Sequence, residues 1–131
     1  MRIGFTTIKV KDMDESEAFY QDILELERTL SFSPQDGVRI TFLQDEEGNK
    51  IELIEDESVT DMFENKGSLV SLGIEVNELD DVIEMLEEKN IEIIKGPVKV
   101  PSGARFVFIE DPNGVEIEFI EGFNVHQSKF E

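Results

Sequence analysis

Residues 37–55, GVRITFLQDEEGNKIELIE, return as residues 103–121, GARFVFIEDPNGVEIEFIE. Shifted by 66 positions and without a gap, the two stretches share Gly37/Gly103, Arg39/Arg105, Phe42/Phe108, Asp45/Asp111, Gly48/Gly114, Ile51/Ile117, Glu52/Glu118, Ile54/Ile120 and Glu55/Glu121. Others are apolar exchanges, such as Ile40/Phe106 and Leu43/Ile109. Working outward, the same offset aligns Ile8 with Ile74, Val10 with Val76 and Asp14 with Asp80. The chain is therefore an internal duplication. Two copies of this period are too few and too long for a solenoid.

Each copy predicts the same five elements. Phe5–Val10 and Leu69–Val76 alternate as strands, with Phe5, Thr7 and Lys9 on one face and Ile8 and Val10 on the other. A helix follows. In copy one Asp14-Glu15-Ser16-Glu17 resembles a capping box, and Phe19, Tyr20, Ile23 and Leu24 come at helical spacing. In copy two Asn77 can cap, and Leu79, Val82, Ile83 and Leu86 form the apolar stripe. Three strands complete each copy: Glu27–Ser33, Val38–Gln44 and Lys50–Glu55, then Ile91–Val98, Ala104–Glu110 and Val115–Ile120. The runs from Asp45 to Asn49 and from Asp111 to Gly114 read as hairpin turns, with Gly at the positive-φ position. The fold class is α+β, two tandem βαβββ modules. Module one spans 1–57, a polar linker 58–67, module two 68–123 and a tail 124–131, within a single domain. A short helix is expected around Asp61–Glu64. One helix covers only one face of its sheet, so the two modules are expected to curl their other faces into a shared mixed-sheet cup, helices outside.

Composition narrows the function classes. The 131 residues are 39% apolar and 33% charged, a globular balance. A formal net charge of -19 repels phosphate backbones, so nucleic acid is not an expected partner, whereas cations are attracted. The same charge serves solubility without any specific role. There is no cysteine, which excludes disulfides, thiolate catalysis and thiolate metal sites. No apolar run matches a membrane span, and the first residues read as a strand rather than a signal peptide, so cytoplasm is the expected compartment.

The pattern resembles the vicinal oxygen chelate superfamily, which contains glyoxalases, bleomycin-resistance proteins and extradiol dioxygenases. The resemblance covers nearly the whole chain. Phe5-Thr6-Thr7-Ile8-Lys9-Val10-Lys11-Asp12, followed by Ser16, Phe19 and Tyr20, is similar to the family's opening strand and helix. Gly48-Asn49-Lys50-Ile51-Glu52-Leu53 is similar to the segment that supplies a glutamate ligand. Phe108-Ile109-Glu110-Asp111-Pro112-Asn113-Gly114, then Ile117-Glu118-Phe119, is similar to the last hairpin, and its Asp-Pro-x-Gly turn is the most specific signal.

The resemblance implies four metal-ligand positions, here Phe5, Glu52, Ser71 and Glu118. The family usually carries His or Gln at the first and third. Phe5 has no donor atom and Ser71 only a neutral hydroxyl, so no metal centre or other cofactor is expected. Nickel and zinc sites favour imidazole or thiolate. A divalent ion, if held, would rest on Glu52 and Glu118. The lone histidine, His126, lies in the polar tail and reads as an exposed residue rather than a replacement ligand.

Glu52 and Glu118 are the candidate catalytic groups. Left without a metal, they could be neutralised by Lys9, Arg39 or Arg105, could share a proton as an acid/base pair, or could await a cationic ligand. Hairpin register decides whether the arginines face the cup, and ordinary salt bridges are the bland alternative. The expected ligand-binding cup comprises Phe5, Thr7, Lys9, Arg39, Ile54, Ser71, Gly73, Arg105 and Ile120. Phe42 and Phe108 are pocket walls or core, core being favoured for aromatics at strand spacing, and Phe63 lies over a pocket mouth or packs at a subunit contact.

Three functions remain open. The first is a metal-free protein that binds a small molecule, with a cationic one favoured by the charge. The second is a metal-dependent lyase or isomerase of the glyoxalase type using Glu52 and Glu118. The third is a degenerate dimerisation or regulatory module. Whether the chain is an enzyme is left open by the residues, and homodimers are what the resemblance implies.

Overall fold

The computed structural model describes residues 3–59 and 70–122. Among these, eight strands form two four-stranded mixed sheets, each accompanied by one helix. The first module runs β1 (Thr6–Lys9), α1 (Met13–Asp22), β2 (Glu27–Gln35), β3 (Val38–Gln44) and β4 (Lys50–Asp56). The second runs β5 (Ser71–Val76), α2 (Leu79–Glu88), β6 (Lys95–Lys99), β7 (Arg105–Glu110) and β8 (Glu116–Glu121). Strand orders are β1-β4-β3-β2 and β5-β8-β7-β6, the same βαβββ topology twice, and neither sheet closes into a barrel. The first strand of each module pairs parallel to the last, which places it beside the hairpin formed by β3 and β4 or by β7 and β8.

Alternation along the strands divides each sheet into a face under the helix and a helix-free face. In module one Ile8, Val10, Met13, Tyr20, Leu43 and Leu53 are buried between α1 and the sheet. In module two Leu79, Leu86, Val107, Ile109, Ile117 and Phe119 do the same with α2. Turn glycines Gly48 and Gly114 hold φ of 85° and 90°, as the two hairpin turns require.

Helix α1 begins two residues earlier than the capping-box reading placed it. Asp12 is the N-cap, and its carboxylate accepts the Glu15 N–H at 2.9 Å. The buried side chains Met13, Ser16, Glu17 and Tyr20 explain the shift, because the sheet-facing stripe needs Met13 inside the first turn. In module two Asn77 does not cap. Glu78 holds the N-cap position without a side-chain bond.

Both helix starts are instead closed from the sheet. The Met13 N–H donates to Glu55 Oε2 at 2.7 Å, and the Leu79 N–H donates to Glu121 Oε1 at 2.9 Å. Each carboxylate satisfies an orphan donor and sits at the positive end of the helix dipole. The repeated arginines join the same arrangement. Arg39 Nη2 reaches Asp14 Oδ1 at 3.2 Å, and Arg105 reaches Asp80 and Glu121, each at 3.2 Å. The identities Asp14/Asp80, Arg39/Arg105 and Glu55/Glu121 are thus one helix-anchoring device used twice.

Strand β6 starts at Lys95, four residues later than the alternation from Ile91 suggests. Asn90, at φ 57°, turns the chain off α2, and the Ile91 N–H is taken by Leu86 O. Gly96, at φ 99°, then passes so near β7 that an added Cβ would lie 2.6 Å from Phe106 O.

The described residues group into two compact units. The first is module one together with the turn Asp111–Gly114, and the second is the remainder of module two. This turn packs on α1. Tyr20 Oη donates to Asp111 Oδ2 at 2.8 Å, Asn113 Nδ2 donates to Ser16 Oγ at 3.1 Å, and the Lys11 N–H donates to Asn113 Oδ1 at 2.9 Å. Burial, and then the Asp111 carboxylate, raise the Tyr20 pKa above its ordinary value. The segment around Asp61–Glu64, Phe63 and His126 lies outside the described residues. Among the described residues no helix is long and apolar enough to cross a membrane.

Candidate functional site

Register assigns every expected site residue to a face. In module one Glu52 is the partner of Thr7 on β1 and of Phe42 on β3, so the three side chains share the helix-free face. Thr7 Oγ1 donates to Glu52 Oε1 at 2.7 Å. Phe5 packs its ring edge-on to Phe42, with centroids 5.3 Å apart and planes at 83°. Lys9 and Ile54 are partners on the same face. Leu30 and Phe32 of β2 stand opposite Phe42 and Ile40. Around Glu52 the face is largely apolar, with Phe5 50%, Leu30 53% and Phe32 42% exposed, while Lys50 and Asp56 lie on it at the two ends of β4.

Module two repeats the design with different side chains. Glu118 is the partner of Gly73 and of Phe108. Ile120 lies beside it opposite Phe106, and Ser71 sits two residues away, opposite Glu116. The rings of Phe106 and Phe108 meet edge-on at 5.7 Å. Lys95 places its ammonium 5.7 Å from the Phe108 centroid.

Seven of the nine expected cup residues therefore fall on helix-free faces: Phe5, Thr7, Lys9 and Ile54 in module one, Ser71, Gly73 and Ile120 in module two. Arg39 and Arg105 do not, which corrects their assignment to the cup. Arg39 pairs with Glu55 and Arg105 with Glu121 across the hairpins, one residue out of phase with the Phe42–Glu52 and Phe108–Glu118 pairs. Both guanidiniums consequently point to the helix side, where hydrogen bonds to Asp14 and to Glu121 raise their pKa values. They cannot neutralise Glu52 or Glu118 from there. Of the two readings for Phe42 and Phe108, wall or core, the favoured core one does not hold: both are half-buried on the helix-free faces. Phe106 and Lys95 were the residues missed. Counting register outward from the turns at Gly48 and Gly114 would have chosen wall over core for Phe42 and Phe108, because each sits opposite a glutamate of the candidate pair.

The donor set fits a transition-metal centre poorly. Of the two family ligand positions in module one, Phe5 offers a hydrocarbon ring packed on Phe42, and the Thr7 hydroxyl already occupies one oxygen of Glu52. In module two a serine hydroxyl accompanies Glu118. No group of three His, Cys, Asp or Glu side chains with metal-holding geometry occurs among the described residues. Lys9 and Lys50 are cations on module one's helix-free face; Lys50 Nζ donates to Gly48 O at 3.4 Å, and Lys9 helps lower the Asp56 pKa behind the larger effect of the Ser58 hydrogen bonds. Among the described residues no lysine or arginine nitrogen is within ion-pairing distance of Glu52 or Glu118.

Comparison with known proteins covers nearly all of the chain. Residues 2–119 match the family model described as Glyoxalase/Bleomycin resistance protein/Dioxygenase superfamily. A lactoylglutathione lyase of Haemophilus influenzae is 36% identical over 128 residues, 92% of this chain and 93% of that protein. Among solved structures, the fosfomycin resistance protein FosX of Listeria monocytogenes superposes with a TM-score of 0.77 at 18% identity, covering 95% of each chain. TnmS3, an antibiotic binding protein from Streptomyces sp. CB03234, superposes with a TM-score of 0.74 at 18% identity, covering 92% of this chain and 95% of its own. At these identities the two structural likenesses speak for the fold alone.

Proposed function

Because the chain belongs to the glyoxalase/bleomycin resistance protein/dioxygenase superfamily, we propose that it is a small-molecule-binding member of that superfamily that works without a complete metal centre. The observation that carries this reading is the state of the first ligand position. Phe5 stands where the family resemblance expects a donor, and its ring packs against Phe42 beside the Thr7–Glu52 hydrogen bond. That arrangement supplies apolar surface and one oriented carboxylate, which is the composition of a binding face rather than of a coordination sphere. The likeness to TnmS3, an antibiotic binding protein, and to the fosfomycin resistance protein shows that this fold accompanies both kinds of protein.

A second reading rests on a different observation. The Haemophilus influenzae relative, at 36% identity, is named a lactoylglutathione lyase. If the chain shares that activity, Glu52 and Glu118 are the groups available to move a proton, and a divalent ion would rest on them. An assay for lactoylglutathione lyase activity, run with chelator and then with added nickel, zinc, cobalt or manganese, separates the two. The binding reading expects no turnover under any of these conditions. Metal-dependent turnover that disappears in Glu52→Gln would replace it with the second reading.

A further inference from the structure

We propose that the helix-free face of module one takes the cationic head of an alkylammonium ligand, seated against the Phe42 ring with Glu52 as counter-ion. This names the ligand class for the binding reading above and rests on it. The duplication provides an internal comparison. Both modules place a phenylalanine directly opposite a glutamate on the helix-free face, Phe42 with Glu52 and Phe108 with Glu118. In module two the chain supplies its own ammonium. Lys95 is the β6 partner of Phe108 and holds its Nζ 5.7 Å from the ring centroid. An ammonium over a phenylalanine face is attracted by the negative ring quadrupole, and a nearby carboxylate adds to that field.

At the same offset module one has Thr29 rather than a lysine. Its hydroxyl donates to the Phe42 backbone carbonyl at 3.4 Å and brings no charge to the ring. The Phe42–Glu52 pair thus keeps the design of module two without the built-in cation. Thr7 fixes Glu52 through Oε1, and Oε2 accepts no hydrogen bond among the described residues. Lys9 and Lys50 share this face; the charge of Lys9 is felt at Asp56, at the end of β4, and Lys50 Nζ donates to Gly48 O at 3.4 Å rather than to Glu52. Phe5, Leu30 and Phe32, each 42% exposed or more, offer an apolar flank for the alkyl portion. The net charge of -19 favours the approach of a cation and disfavours a carboxylate or phosphate ligand.

Titration of the whole chain with hexylammonium, hexanol and hexanoate, followed by calorimetry and by NMR shifts, tests this. Hexylammonium is expected to saturate one site, to perturb Phe5 and Phe42, and to bind at least about tenfold more tightly than hexanol. Glu52→Gln, a half-buried position where folding is not at stake, is expected to remove that preference. Lys95→Ala frees the Phe108 ring and is expected to raise the stoichiometry from one ammonium to two. Equal binding of hexylammonium and hexanol, or a preference that survives Glu52→Gln, or an unchanged stoichiometry in Lys95→Ala, would overturn the inference. If hexanol binds and hexylammonium does not, the ammonium assignment fails while the small-molecule reading stands. Stoichiometric metal bound through Glu52 would remove both.

Discussion

Replacing Tyr20 with phenylalanine perturbs one well-defined contact. The side chain is fully buried, its hydroxyl donates to Asp111 Oδ2 at 2.8 Å, and Asp111 is 5% exposed. The variant keeps the ring and its edge-on contact with Phe19. It takes away a hydrogen bond to a buried carboxylate that afterwards retains the Asn113 backbone and side-chain donors. A hydrogen bond to a charged group contributes about 1.5–3 kcal/mol, so the melting temperature should fall by on the order of 5–10 °C for a chain of this size. Urea denaturation should show a lower midpoint at unchanged slope.

The pH dependence sharpens the test. The folded pKa of Tyr20 is raised, first by burial and then by Asp111. Its contribution is therefore fully present below the unfolded tyrosine value, about pH 10, and is lost as pH rises beyond it. Tyr20 is the only tyrosine and there is no tryptophan, so phenolate absorbance reports on this group alone. In the native protein that absorbance should appear only with unfolding, and Tyr20→Phe should flatten the alkaline loss of stability. A stability change below about 0.5 kcal/mol, within the range of an ordinary surface substitution, or phenolate titrating at its ordinary pH in folded protein, would refute the packing of the Asp111 turn on α1.

Other perturbations follow from the same contacts. Glu55→Ala removes the acceptor that closes the start of α1 and should cost about 1 kcal/mol, the usual loss for a helix cap, measured by chemical denaturation. Arg105, and then the Leu79 N–H, hold the Glu121 pKa below its ordinary value. Its contribution to stability is present above the unfolded carboxylate value and lost as pH falls through the lower folded one, so Glu121→Gln should flatten the acid limb of a stability–pH profile. Arg39→Ala should cost less than about 1 kcal/mol, since its pair with Asp14 is solvent-exposed, and should leave ligand affinity untouched. A loss of binding in that variant would return Arg39 to the helix-free face.

Much of the fold was legible because the decisive information is local and repeated. The 66-residue offset marks both modules, and period-2 alternation places Ile8 and Leu53 under a helix and Thr7 and Glu52 away from it. The hairpin glycines fix where β3 turns into β4 and β7 into β8. What was not legible depends on partners far along the chain. Glu55 and Glu121 cap helices that start 42 residues before them, a pairing no local capping signal announces. Asp14 looked like the cap because it opens an acidic run, yet the buried stripe through Met13 and Tyr20 places the helix start at Asp12. Arg39 and Phe42 sit three residues apart on one strand and so face opposite sides; only register against β4 says which of them joins Glu52. Repetition was itself ambiguous. It preserved the Asp–Arg–Glu helix anchor as faithfully as the Phe–Glu pair of the candidate site. The Asp-Pro-Asn-Gly turn likewise announced a hairpin, while its docking on Ser16 and Tyr20 came only from the three-dimensional structure.

The central claim is a binding protein without a complete metal centre, and metal stoichiometry tests it most directly. Elemental analysis of the purified protein would be followed by melting curves of chelator-treated chain with nickel, zinc, cobalt, manganese or magnesium added. A metal that binds only the native state must raise the melting temperature by mass action. A binding protein of this kind should hold substoichiometric metal and show no shift that depends on Glu52 or Glu118. Near-stoichiometric metal, with a stabilisation that vanishes in Glu52→Ala or Glu118→Ala, would contradict it.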